Sequence, residues 1–331
     1  MTPLIRFRDQ QHVVRWGVVR CDRVHRLSGD WATTAALLGE GRAAIAACED
    51  AGVPLASVLA EGALCSPITT NQQVNCQAVN YRAHAIEAGF GPGGLGANVF
   101  FRKASSSLTS ARSPVRRPGS VQLLDYELEL GLVIGRRIDR PVQVTWQNLH
   151  EFVAGVVMTN DLSARDEQVR DGQFFRSKSH RGFAPTGPYL CLLDAAELAR
   201  LPELQLKLRV DGELRQDGTA GDMIYDPPAT VTDLSSVMDL EPGDLIATGT
   251  PSGVALRVPP APIRLLSQLL SPRTRLRLFL RSQRRSRRYL TSGSVIEATI
   301  RTADGAVDLG LQRTPIMAES AGGDREARGG L

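Results

Sequence analysis

The chain has 331 residues, 42% apolar and 22% charged, the balance of a globular protein with a sizeable core in one large or two smaller domains. No apolar run approaches the roughly 20 residues that span a bilayer, and Met1–Arg8 lacks the apolar stretch of a secretion signal. The five cysteines form no C-x-x-C pair, so membrane-spanning, secreted and zinc- or disulfide-based classes are set aside and a reducing cytoplasm is expected.

The net charge of +4 is unevenly placed. Ten arginines and no acid lie between Arg257 and Ile296; without those ten, 29 basic residues face 35 acidic ones. The acidic remainder argues against a nucleic-acid binder as a whole.

In chain order, residues 4–27 read as two or three short strands, Ile5–Phe7 and Val13–Val19 among them, turning at Cys21–Arg23. Residues 33–61 carry a helical pattern with breaks at Gly39–Gly41 and Gly52–Pro54. Pro67 marks a boundary, giving a small N-terminal α+β domain over 1–68 and a larger domain over 69–317. Val74–Val79 reads as a strand and Asn80–Gly89 as a helix, which puts His84 and Glu87 three apart on one face. A carboxylate beside an imidazole fixes its tautomer and raises its basicity, as a general base requires, although most such pairs are plain surface pairs. The five glycines between Gly89 and Asn98 suggest a mobile lid over that pair.

Asp125–Gly135 and Phe152–Asp161 contain two strongly apolar runs, both read as strands. Alternate strand residues share a face, so Glu127 and Glu129 project together. Two carboxylates one pleat apart repel unless a cation lies between them. Asp161, at the end of the second run, completes an oxygen set suited to Mg²⁺ or Mn²⁺. The competing reading is a solvated edge strand with Asp161 as a turn or helix-capping residue.

Ser163–Arg170 follows as a helix, and Lys178 stands among small polar residues before a Gly-Pro turn at 185–188. By itself a lysine there is a surface residue. Residues 204–217 form a hairpin around Asp211–Gly212, and 230–240 a short helix. The loop Gly249–Gly253 offers backbone amides and the Thr250 hydroxyl to an anion, or is a plain turn. An arginine-rich insert over about 257–290 is helical from Ile263 to Leu280, its leucines expected to pack on the catalytic domain or a second copy. Ser294–Ile300 is a late strand, and residues 318–331 read as a disordered tail.

These pieces in this order resemble the fumarylacetoacetate hydrolase family. The resemblance rests on NYRAHAIE at 80–87, DYELEL at 125–130, NDLSARD at 160–166, SKS at 177–179, PTGP at 185–188, PGDLIATGTPSGV at 242–254 and IEATI at 296–300. It implies an α+β, mostly β fold, a mixed-sheet β-roll, forming a homodimer. It implies one Mg²⁺ or Mn²⁺ on Glu127, Glu129 and Asp161, a water-activating pair in His84 and Glu87, and Lys178 as a catalytic cation. Tyr81, Arg165, Gln168 and Thr250 match substrate-contacting positions. Ala83 stands where the family often has Asp, and the basic insert replaces a short connection, so the substrate is open.

The expected activity is metal-dependent hydrolysis of a carbon–carbon bond in a β-diketone or acylpyruvate-like acid of aromatic catabolism. The alternative is decarboxylation, hydration or tautomerisation of a 2-oxo acid through the same enolate. The expected partner is that small acid, with neither nucleic acid nor membrane.

Overall fold

The computed structural model describes residues 1–48, 51–60, 62–259 and 261–319. Its centre is the strand Leu128–Ile134, buried at every position. Antiparallel neighbours cover both edges, Val153–Asn160 on one and Leu245–Ala247 on the other. With sheet edges and both faces covered, such strands read as continuous apolar runs rather than alternating ones.

From Val153–Asn160 the sheet continues through Ala184–Leu192 to Thr2–Arg8, Val14–Arg20, Arg23–Arg26 and Val53–Pro54. In the other direction Leu245–Ala247 pairs in parallel with Val74–Ala78, which pairs antiparallel with Val99–Lys103. With two short side strands this makes a twelve-stranded mixed sheet. The strands of the first 68 residues therefore extend the central sheet, joined through Thr2–Arg8 and Ala184–Leu192. A five-stranded sheet packs across its face, containing Gln205–Val210, Glu213–Thr219, Val295–Arg301, Asp308–Ala318 and Val115–Arg117. Leu130, Leu132, Val156 and Met158 meet Leu206, Leu208, Ile300 and Ile316 in the main core between the two sheets. Val133, Val157 and Leu190 on the opposite face pack with Leu37 and Leu38 of the helix Thr34–Glu40.

The fold class is the one expected, and four local readings change. Residues 185–188 lie inside the strand Ala184–Leu192, not in a turn. Proline is tolerated there because the register to Val153–Asn160 is interrupted at that point, and the Thr159 and Thr186 hydroxyls bond at 2.9 Å. The helix expected over 263–280 is two, Ala261–Ser267 and Pro272–Gln283. Ser271 caps the second, accepting from the Thr274 amide, and Pro272 in its first turn cannot continue an earlier helix. The eleven-residue strand Asp308–Ala318 escapes the sequence reading, since Gly310 and Pro315 obscure its alternation. Ala318 therefore ends a strand, and Glu319 accepts the Gly119 amide at 2.9 Å. The remainder of the expected tail, 320–331, lies outside the described residues.

Candidate metal centre

The three acids converge because the central hairpin ends beside them. Leu128 faces Asn160 in the ladder, and the next residues outward are Glu127 and Asp161. The Asp161 amide donates to the Glu127 carbonyl at 2.8 Å, and the Glu127 amide to Asn160 Oδ1 at 3.0 Å. Glu129, one pleat inward, returns to the same side. Carboxylate oxygens of Glu127, Glu129 and Asp161 lie within 4.8 Å of one another, and all three residues are buried.

Cations are distributed unequally around them. Lys178, buried at the end of the helix Phe175–Lys178, donates to both Glu127 and Asp161. Its ammonium also stands 5.2 Å from the centre of the Phe101 ring. Arg165 donates to Glu127, to Asp125 at 2.8 Å and to Gln168 Oε1 at 2.8 Å. Lys103 donates to Asp161 and, at 2.8 Å, to the Phe183 carbonyl. Among the described residues Glu129 receives only a backbone donor, the Gly249 amide at 2.9 Å.

The ionisation follows from this. Burial pushes the Glu127 carboxyl up, but Arg165 and Lys178 more than reverse it and hold it well below the usual carboxylate range. Burial, then Asp161, push Glu129 well above that range, because Lys178 only partly offsets them. Burial opposes the Lys178 charge, and the Asp161 and Glu127 carboxylates overcome it, so its pKa rises. The group therefore has three hard oxygen donors, and at Glu129 burial and the neighbouring Asp161 disfavour the charged form. That donor set fits a divalent cation, which would supply the missing charge.

His84 and Glu87 lie on the helix Arg82–Glu87, with His84 Nδ1 3.4 Å from Glu87 Oε2. Glu87 also accepts the Gly253 amide at 3.0 Å and meets Arg257. Burial, reinforced by the Arg165 and Lys178 charges against the pull of Glu127, lowers the His84 pKa to about 4. The imidazole is then neutral at physiological pH.

A cavity of about 50 Å³ is lined by His84, Glu127, Glu129, Arg165, Gln168, Lys178 and Thr250. Glu87 supports it through His84, and Asp161 through Lys178. Tyr81 is placed elsewhere: its ring is fully buried in the main core and does not line this cavity. Thr250 is at the wall, but its hydroxyl donates to the Leu128 carbonyl at 2.9 Å and accepts from Gln216 Nε2 at 2.8 Å. Two amides of the 249–253 loop hold the protein's own carboxylates, Glu129 and Glu87, rather than a ligand anion.

Sequence reasoning missed Lys103 and Asp125. Asp125 is fully buried and accepts from Arg165, the Ala255 amide at 2.7 Å and the Leu256 amide at 3.1 Å. It ties the Thr250 loop to the arginine that holds Glu127. Its position two residues before Glu127 in one alternating run was the available signal; Lys103 had none.

The model of the fumarylacetoacetate (FAA) hydrolase C-terminal family matches residues 73–316. Over 198 residues the chain is 39% identical to oxaloacetate tautomerase YisK of Bacillus subtilis (strain 168), 59% of this chain and 64% of that one. It is 35% identical over 196 residues to the 4-hydroxyphenylacetate degradation bifunctional isomerase/decarboxylase of Salmonella dublin, 58% of this chain and 44% of that enzyme. The match thus spans less than two thirds of either relative. Among solved structures, maleylpyruvate hydrolase from Sphingobium sp. SYK-6, in complex with manganese(II) and pyruvate, superposes with a TM-score of 0.68 at 27% identity. That superposition covers 96% of this chain and 99% of that one.

Proposed function

Because the chain belongs to the fumarylacetoacetate hydrolase family, we propose that it is a divalent-cation-dependent enzyme that hydrolyses a carbon–carbon bond in a diketo acid, with Glu127, Glu129 and Asp161 as the cation ligands. The observation that carries this reading is His84, a neutral imidazole that pairs with Glu87 and lines the same cavity as Glu127 and Glu129. When bound, a Mg²⁺ or Mn²⁺ ion supplies Lewis acidity toward the substrate's oxygens.

The chain's own groups do the rest. Glu87 accepts from Nδ1–H of His84, which leaves the Nε2 lone pair free to take a proton from water. The hydroxide so formed attacks the carbonyl distal to the acid group. Lys178 has three N–H donors, and Glu127 and Asp161 use two. As the carbon–carbon bond breaks, the third, with the ammonium charge, stabilises the negative charge developing on the leaving fragment, whose carbon then takes the proton held by His84. Arg165 positions Glu127 and presents Gln168 at the cavity wall.

A second reading, tautomerisation of a 2-oxo acid, is favoured by the 39% identity to an oxaloacetate tautomerase. It uses the same acids and Lys178 but no hydrolytic water. A panel of acylpyruvates, other diketo acids and oxaloacetate, assayed in ¹⁸O-water with Mg²⁺ or Mn²⁺, separates the two. Label in a product carboxylate supports hydrolysis, and enol–keto conversion without label supports tautomerisation. The homodimer belongs to the same proposal, and sedimentation equilibrium tests it.

A further inference from the structure

The insert packs on the catalytic body as its sequence suggests only in its second helix, where Leu280 meets the main core. Its first helix, Ala261–Ser267, leaves Ile263 58%, Leu265 68% and Leu266 68% exposed, and Leu269 just beyond is 83% exposed. Leu265 and Leu266 are adjacent and so point about 100° apart. A helix lying on the catalytic body would bury one of them. This one leaves both largely exposed, and a helix that is apolar on several sides is covered in its working state.

The insert is nevertheless firmly rooted. Gln283 brackets the Arg257 backbone, donating to its carbonyl at 2.9 Å and accepting its amide at 3.3 Å. Arg288 donates to the Gly253 carbonyl at 2.7 Å. Leu266, Leu270, Leu276 and Phe279 face Val169 and Leu256 across an apolar groove of about 950 Å³.

Arg273, Arg275, Arg277, Arg281, Arg284, Arg285 and Arg287 are all exposed. Among the described residues the insert's one ion pair is Arg257 with Glu87, at its root. Apolar surface and unneutralised positive charge thus occur in the same short segment. A second copy seated on this patch would bring two arginine clusters together, like charge against like. A nucleic acid would take the arginines and leave the leucines in water. An anionic lipid surface accepts both, since its phosphates meet the guanidinium groups and its acyl boundary receives the leucines.

We propose that the insert docks this enzyme onto an anionic lipid surface through Ile263, Leu265, Leu266 and Leu269 together with the arginines of Pro272–Arg288. The test is flotation of the full chain with vesicles of phosphatidylglycerol mixed with phosphatidylcholine, against phosphatidylcholine alone. Binding to the anionic vesicles only is expected. The triple variant Arg273→Gln, Arg277→Gln, Arg281→Gln should bind roughly a hundredfold more weakly, at roughly fivefold per arginine. The triple variant Leu265→Ser, Leu266→Ser, Leu269→Ser should lose at least roughly tenfold. Both should keep the parent's melting midpoint; if the leucine triple does not, Leu269→Ser alone, at the most exposed position, replaces it. Three results would overturn the proposal. One is no binding of the parent to anionic vesicles. Another is full binding by the leucine variant, the behaviour of an arginine site for any polyanion. The third is a leucine variant that dissociates a dimer while its vesicle binding is unchanged, which would assign the patch to a second copy.

Discussion

Glu129 is the residue on which a cation acts most. Burial and Asp161 push its pKa well up, and Lys178 only partly offsets them. Loading Mg²⁺ or Mn²⁺ must therefore expel a proton, so affinity should rise with pH. Calorimetry in buffers of different ionisation enthalpy should show that proton leaving; heats identical in all buffers would remove Glu129 from the ligand set. Glu129→Gln should fold with an unchanged or higher melting midpoint, since an amide carries neither the charge that burial penalises nor the repulsion from Asp161. Losing an outer partner of a metal ligand costs roughly 10–100-fold in affinity, and losing the ligand itself should cost more. His84→Ala should instead leave cation affinity intact and lower turnover by roughly 10²–10⁴-fold. His84 carries a second signature. Its folded-state pKa of about 4 lies below the ordinary 6.5. Its neutral burial favours the fold fully above pH 6.5, and that contribution is lost as pH falls through 4. Melting midpoints of the parent should therefore drop over that window more steeply than those of His84→Ala; parallel curves would mean the imidazole is solvated. The two glutamates were legible in the sequence because period-two alternation is a local property. Lys178 was legible only through the SKS motif of the family resemblance and Lys103 not at all, because what removes both from water is strands and helices brought in from elsewhere.

At the scale of elements, the loop Gly249–Leu256 is the joint of the site. Its amides reach Glu129, Glu87 and Asp125, so one loop sets the acids, the histidine's partner and the arginine's anchor. Gly253 makes this possible with φ of +112°, and a Cβ there would meet the Arg215 carbonyl oxygen at 2.0 Å. No flexible side chain yields in that contact, so the loop itself must move. Gly253→Ala should cost on the order of 3 kcal/mol and lower turnover as well, because the displaced loop carries the residue 253 amide away from Glu87. A urea titration and steady-state rates would check both, and a variant with parental stability and rate would show that the loop is not a fixed joint. The loop was legible as a turn with available amides; which carboxylates it serves depends on long-range pairing that no local pattern encodes. The broken helix of the insert shows the converse, since its break is marked locally by Ser271 as a cap and by Pro272, which cannot continue an earlier helix.

For the whole molecule, the continuous sheet decides how the parts depend on one another. Thr2–Arg8 pairs with Ala184–Leu192, and that strand pairs in turn with Val153–Asn160, which leads to Asp161. The family match begins at residue 73. Yet Leu4, Trp16 and Leu37 share a core cluster with Val133, Val157 and Leu245 of the central strands. Removing residues 1–68 would strip that cluster and leave Ala184–Leu192 with an open row of backbone donors and acceptors. Exposed edges of this kind pair with other chains. The truncated protein should therefore aggregate on size-exclusion chromatography, and its cation affinity should fall with the packing behind the acids. The full chain should unfold in one calorimetric transition with equal calorimetric and van't Hoff enthalpies, because a shared sheet and core couple the two segments. Two resolved transitions, or a soluble truncated protein that binds Mn²⁺ like its parent, would show that the N-terminal strands are an appendage and that the site is carried by residues 69–317 alone.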